Sequence, residues 1–157
     1  MGKLKSKHPK EITMTHINET ELLNYVRQNA EAALNGIDMV ENSVKGKKLK
    51  TTIEAQRNEY TNLYAEADAL LRQKNGTPED MPTMSKVTAK VMGNMKKLTY
   101  QDDRDVADSM INGTVMGINK LTKHMHEYKG NDKEITSLAD KVIAFEEGCI
   151  EELKPFL

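Results

Sequence analysis

The 157-residue chain has no tryptophan, two phenylalanines and one cysteine, and aromatic residues make up only 4% of it. A single cysteine excludes an internal disulfide, so the fold must hold by packing, and nothing in the cysteine usage points to an oxidising compartment. Long apolar runs are missing: none approaches the ~18 residues of a membrane-spanning helix. The first residues also lack the apolar core of a signal peptide. Neither sign of charge predominates, with 23 basic against 24 acidic side chains, which argues against a wholly basic nucleic-acid binder. There is no period-two alternation or β-branched cluster to make a strand. No glycine-rich loop cradles phosphate, and no Cys-His-Asp spacing supports nucleophilic catalysis. The expectation is one cytoplasmic domain with a sizeable core, and the composition names no reaction.

Apolar residues recurring every three or four positions fill most of the chain. Leu23, Val26, Ala30, Ala33, Ile37, Val40 and Val44 share one helix face. Asn18 with Glu21 reads as an N-cap pair, and Gly46 is expected to close this helix in a left-handed cap. Leu49, Ile53, Gln56, Tyr60, Leu63, Ala67 and Leu70 repeat the spacing up to a stop at Asn75-Gly76. A short helix is expected after Pro82, with Met84, Val87, Val91, Met95 and Leu98 in register. The acidic run Asp102-Asp103-Arg104-Asp105 suits the start of the next helix, where carboxylates meet the positive end of the helix dipole. Ala107, Met110, Ile111, Thr114, Ile118, Leu121, Met125 and Tyr128 form its inner face, running through Asn112-Gly113 and stopping at Gly130. Asn131 with Glu134 reads as the cap of a last helix that carries Ile135, Leu138, Val142, Phe145, Cys149, Leu153 and Phe156. Short links at Gly46 and Gly130 make two antiparallel hairpins. The fold expected is all-α, a four-helix bundle of two hairpins joined by a crossover with a short extra helix, spanning residues 18–157.

Leu70, five residues, then Gly76-Thr77-Pro78-Glu79-Asp80 resembles a helix-end pattern of uncharacterised bacterial ferritin-like four-helix-bundle proteins. Glu54, Tyr60 and Leu70 have similar spacing there. The stretch Ala144–Leu157 is similar to the C-terminal helix of small clostridial-type proteins of unknown function. The resemblance covers residues 18–157 and implies a ferritin-like bundle, a bacterial source and a dimer, but no activity. It also invites a test for metal. Di-iron carboxylate bundles need Glu-x-x-His on two helices, since residues i and i+3 share a face. Three residues before His8, His16, His124 and His126 stand Lys5, Thr13, Leu121 and Lys123. Glu54-x-x-Arg57 sets a cation where a ligand would be, and Glu146-x-x-Cys149 offers a soft thiol. No metal, cofactor or catalytic residue is therefore expected.

Two features stand out from the apolar pattern. Gln56 falls on a core seam, where a polar group without a partner costs about 1–3 kcal/mol. Glu31 and Glu146 lie beside their seams, and the three could form an interior polar site, although boundary glutamates are usually solvated. Gly113 and Gly117 make a Gly-x-x-x-Gly step that would let another helix approach closely, within the chain or from a second copy. His124 and His126 are two apart and cannot ligate one metal from a single helix face; both read as surface residues. Cys149 reads as a small core hydrophobe. Residues 1–17, with Lys3, Lys5, Lys7 and Lys10, read as a basic flexible arm. That arm lacks interleaved aromatics for nucleic acid, and four lysines do not make a stable membrane anchor. The reading is a non-enzymatic structural or protein-interaction module, with a homodimer or another protein as partner. The alternative is a degenerate metal- or small-ligand-binding bundle centred on Gln56, Glu31 and Glu146.

Overall fold

A computed structural model describes residues 16–79 and 100–157, and these are all-α. Four helices, α1 (Glu19–Val40), α2 (Lys47–Gln73), α3 (Asp103–Glu127) and α4 (Lys133–Leu153), follow one another, with 3-10 turns at Glu41–Ser43 and Lys154–Phe156. Most of the arm expected at residues 1–17 and the short methionine-bearing helix expected after Pro82 lie outside the described residues. Ile17 does not belong to a free arm: it is buried, and its N–H donates to the Glu127 carbonyl at 3.1 Å.

Helix ends follow local chemistry, in places one residue away from the expected position. Asn18 caps α1 in a full capping box, its side chain accepting from the Glu21 N–H while Glu21 accepts from the Asn18 N–H, both at 2.9 Å. Asp102 caps α3 by accepting from the Asp105 N–H. The last helix is capped by Asp132, not Asn131: its carboxylate accepts from the N–H groups of Glu134 and Ile135. Asp is as good a cap as Asn, and the loop length decides between neighbours. After α2 the left-handed position falls on Asn75 (φ 63°), and Gly76 N–H returns to the Leu71 carbonyl at 2.8 Å. This is a Schellman closure.

Gly46 and Gly130 do not act as left-handed caps, since no described glycine has a positive φ. Gly46 is the extended N-cap of α2. A side chain there would collide with Asp103, whose carboxylate accepts from Lys45 N–H at 2.8 Å and Gly46 N–H at 2.7 Å. A Cβ on Gly130 would strike the Tyr128 hydroxyl and the Glu19 carboxylate, which are bonded to each other at 2.9 Å. Both glycines lie close against side-chain tips, and neither has a left-handed backbone.

Helix α1 packs beside α2 and α3, and α4 packs beside α3 and α2. Side-chain links show that each of these neighbours runs antiparallel. Arg27 meets Asp68 and Arg57 meets Asp38 across α1 and α2, while Tyr60 meets Glu146 and Lys74 meets Asp132 across α2 and α4. Residues 76–79 leave from the end that holds Asn18 and lie along α1, with Thr77 and Glu79 carbonyls accepting from Asn24 and Arg27. Tyr100 and Gln101 enter at the opposite end, where Gln101 carbonyl accepts from Lys45. The connection between α2 and α3 therefore joins opposite ends of the bundle.

Most inward positions expected on α1, α2 and α4 are buried, whereas of those expected on α3 only Ala107 and Leu121 are, with Tyr128 just beyond its end. All seven on α2 are buried, Gln56 included, as are Leu23, Val26, Ala30, Ile37 and Val40 on α1. The apolar interior is in two parts. One gathers Leu22, Leu23, Val26, Leu63, Leu71, Leu121, Ile135 and Val142; the other gathers Ile37, Val40, Leu49, Ile53, Val106, Cys149 and Leu153. Phe145 packs against both, and polar groups gather beside it where the two parts meet.

Candidate functional site

The division falls at mid-bundle, one residue per helix. Asn29 stands between Val26 and Ala30 on α1, Tyr60 next to Leu63 on α2, Gly117 before Leu121 on α3, and Glu146 between Val142 and Cys149 on α4. Glu146 is only 1% exposed, and the Tyr60 hydroxyl donates to its Oε2 at 3.1 Å. Asn29 donates from Nδ2 to the Gly117 carbonyl at 3.0 Å, bracing α1 against α3. A Cβ on Gly117 would lie 3.2 Å from Glu146 Oε2 and 3.3 Å from Asn29 Nδ2. The missing side chain is thus the space in which the carboxyl and the amide meet. The Tyr60 ring rests edge-on against Phe145, with centroids 4.9 Å apart.

One turn away on α2, Gln56 is also 1% exposed and donates from Nε2 to Glu152 Oε1 at 3.0 Å and to the Cys149 carbonyl at 3.4 Å. Gln56 Oε1, Asn29 Oδ1 and Glu146 Oε1 are buried acceptors with no hydrogen-bond donor among the described residues. Burial has the expected electrostatic effect. It raises the Glu146 carboxyl to about 7, against the pull of Tyr60 and Asn29, which favour the charged form. It pushes the Cys149 thiol up to about 12, with Glu152 adding to the effect. Tyr60 is raised by burial and by the adjacent Glu146 charge.

Of the expected interior trio, Gln56 and Glu146 share this region. Glu31 lies one turn beyond Arg27, whose charged form its carboxylate supports, and its Oε1 is buried as well. Gly113 and Gly117 differ in their surroundings. Gly117 is an intramolecular close approach, whereas a Cβ on Gly113 would meet nothing within 4 Å. The two lie on one side of the helix, about 40° apart, but within the chain only Gly117 is in close contact. The glycine pair gives a direct check. Gly113→Ala is expected to stabilise the fold by about 0.5–1 kcal/mol through helix propensity. Gly117→Ala is expected to lose that gain and destabilise, as chemical denaturation of the two variants would show.

A second polar cluster lies between α1, α2 and the segment after α2. Arg27 is 5% exposed and donates to Asp68 at 2.9 Å, the Tyr64 hydroxyl at 2.7 Å and the Glu79 carbonyl at 3.0 Å. Two hydrogen bonds hold Asp68 below the usual carboxylate range, the first from Arg72 and the second from Arg27. Asn24 donates to the Thr77 carbonyl and accepts from the Glu79 N–H. Neither Arg27 nor Asn24 stands out in the sequence, where a polar residue beside a seam looks solvated. Their partners across the bundle lie between 37 and 55 positions away.

His124 is not an ordinary surface residue. Its ring stacks on Tyr25 with centroids 3.5 Å apart, and its Nδ1 lies 2.9 Å from Glu127. His126 is exposed. Arg57 turns outward to Asp38 and Glu41. A shallow groove of 460 Å³ between α2 and α4 is crossed by the Lys141–Glu66 ion pair and does not reach the polar layer. Among the described residues, no three His, Cys, Asp or Glu side chains gather closely enough to hold a metal ion. No described helix is long and apolar enough to cross a membrane.

No known protein family, curated protein or solved structure matches the chain.

Proposed function

We propose that the chain is a non-enzymatic helical module of ferritin-like arrangement with a structural or protein-interaction role. Antiparallel neighbours throughout, two hairpins, and a connection between opposite ends of the bundle support that arrangement. The observation that carries the functional reading is how the interior polar groups are used. Tyr60 to Glu146 and Gln56 to Glu152 tie α2 to α4, Asn29 to Gly117 ties α1 to α3, and Arg27 to Asp68 ties α1 to α2. Each is spent on an interhelical brace, leaving the outer faces for contact with a second copy or another protein. Elemental analysis of the purified full chain is expected to find no stoichiometric iron, manganese or zinc. About two transition-metal ions per chain, the loading of a carboxylate-bridged bundle centre, would overturn the reading.

A second reading is a degenerate metal- or small-ligand-binding bundle. It is favoured by the buried acceptor oxygens of Asn29, Gln56 and Glu146 that face no donor among the described residues. A thermal-shift screen with divalent metals and small amines tests it. A stabilisation seen with the wild-type chain and lost in Glu146→Gln would support this reading over the first.

A further inference from the structure

Helix α3 buries less of itself than its neighbours. Within it only Val106, Ala107 and Leu121 are fully buried, and the face opposite them carries Met116 at 71% and Val115 at 40% exposure. Helical geometry collects Asp105, Asp108, Asn112, Met116, Asn119 and Lys123 into one outward stripe, with Lys120 and Gly113 along one margin. The backbone at Gly113 is open to approach from outside.

The charges on this stripe are ordered by sign. Asp105 and Asp108 lie in its first half, and Lys120 and Lys123 in its second. Arg104, the one cation in the first half, sits at the stripe's margin, and Glu127, near the other end, is engaged with His124. The order is also symmetric. Asp108 precedes Thr114 by as many residues as Lys120 follows it, and Asp105 and Lys123 obey the same rule. An antiparallel copy of α3 laid across this stripe, with the two-fold axis at Thr114, therefore sets each aspartate pair level with the lysine pair of the other copy. The two Met116 side chains flank the axis, where their exposed area is covered. A parallel pairing would instead oppose like charges.

We propose that two copies of the chain pair through the outward face of α3, antiparallel and centred at Thr114. This deepens the interaction reading above by naming the partner as a second copy and the surface as α3, an isologous contact of the kind closed dimers use. Every charge it uses lies outside the core, so the test alters charge without touching the interior, although Asp105 also accepts from the Gln101 N–H at 2.8 Å at the start of α3.

Sedimentation equilibrium of the full chain at low salt and high micromolar concentration is expected to give a dimer. Asp105→Lys with Asp108→Lys makes both ends of the stripe basic, and Lys120→Asp with Lys123→Asp makes both ends acidic. Each double variant alone is expected to be monomeric. An equimolar mixture restores a dimer containing one of each, because every basic end then meets an acidic one. A monomeric wild type, or a dimer that survives either reversal, overturns the proposal. Should a variant fold poorly, the wild type decides. Its dissociation constant is expected to rise at least tenfold when salt is raised to about 0.5 M, where the Debye length is about 4 Å. A dimer indifferent to salt overturns the proposal. A metal-free monomer would sink the pairing alone, whereas bound transition metal would sink the module reading.

Discussion

Glu146→Gln is expected to make the protein more stable than the wild type at pH 8 by up to about 3 kcal/mol, and to flatten its stability profile between pH 4.5 and 7. The carboxyl has an ordinary value of 4.5 in the unfolded chain and is raised to about 7 in the folded one. Between those values the folded state holds a proton that the unfolded state has released. Stability therefore falls as pH rises through that window, and above 7 the bundle carries a buried carboxylate at full cost. Glutamine keeps an acceptor for the Tyr60 hydroxyl, removes the charge and supplies an N–H group to a region where Asn29 Oδ1 has no donor among the described residues. Urea titrations at several pH values would check it. A wild-type profile that stays level or rises from pH 4.5 to 7.5 would refute the assignment. Tyr60→Phe deletes a bond that favours the carboxylate and should move the midpoint of the effect upward. The acid-side losses from Asp68 and Asp132, both held below the usual carboxylate value, belong to lower pH, since groups of that kind lose their contribution as pH falls through the folded value.

Arg27→Ala is expected to cost about 2–4 kcal/mol, while Arg72→Ala costs under about 0.5 kcal/mol, although both side chains bind the same Asp68. Arg27 is buried and joins α1 to α2 and to the Glu79 carbonyl; its guanidinium also lies 4.9 Å from the centre of the Tyr64 ring. Removing it leaves a hole at the junction of three segments and strips the Tyr64 hydroxyl and the Glu79 carbonyl of a charged donor. Arg72 is exposed and makes a one-turn pair on α2 alone, which water largely replaces. Equilibrium denaturation of the two variants at neutral pH decides the matter. Equal losses would mean that Arg27 is a surface charge in all but position.

Much of the architecture could be read from spacing. The stripe from Leu49 to Leu70 named every buried position of α2 except Leu71, because a helix that buries one face must repeat an apolar residue every three or four positions. Asn18 and Asp102 announced two helix starts, because a cap depends only on atoms within one turn. Gly46 and Gly130 look like helix stops, and the structure adds what crowds them: the Asp103 carboxylate at Gly46, and the nearby Tyr128 hydroxyl with the distant Glu19 carboxylate at Gly130.

The polar layer was half legible. Gln56 drew notice as a polar residue on an apolar seam, and Glu146 as an acid beside one. Asn29 and Arg27 carried no local sign, since their meaning depends on which helices become neighbours. Glu31 resembled Glu146 in pattern but faces the neighbourhood of Arg27.

The sequence by itself determined that these residues form helices, where the helices begin and which faces turn inward, because those choices rest on propensity, capping and periodicity within a few residues. Only the tertiary structure decided that α1 lies between α2 and α3, and that Glu146 meets Tyr60 over Gly117 in a layer dividing the core. It likewise left the charged face of α3 outward. Each of these depends on groups brought together from different helices, and burial, with the shift it imposes on a carboxyl, exists only once the helices have closed around it.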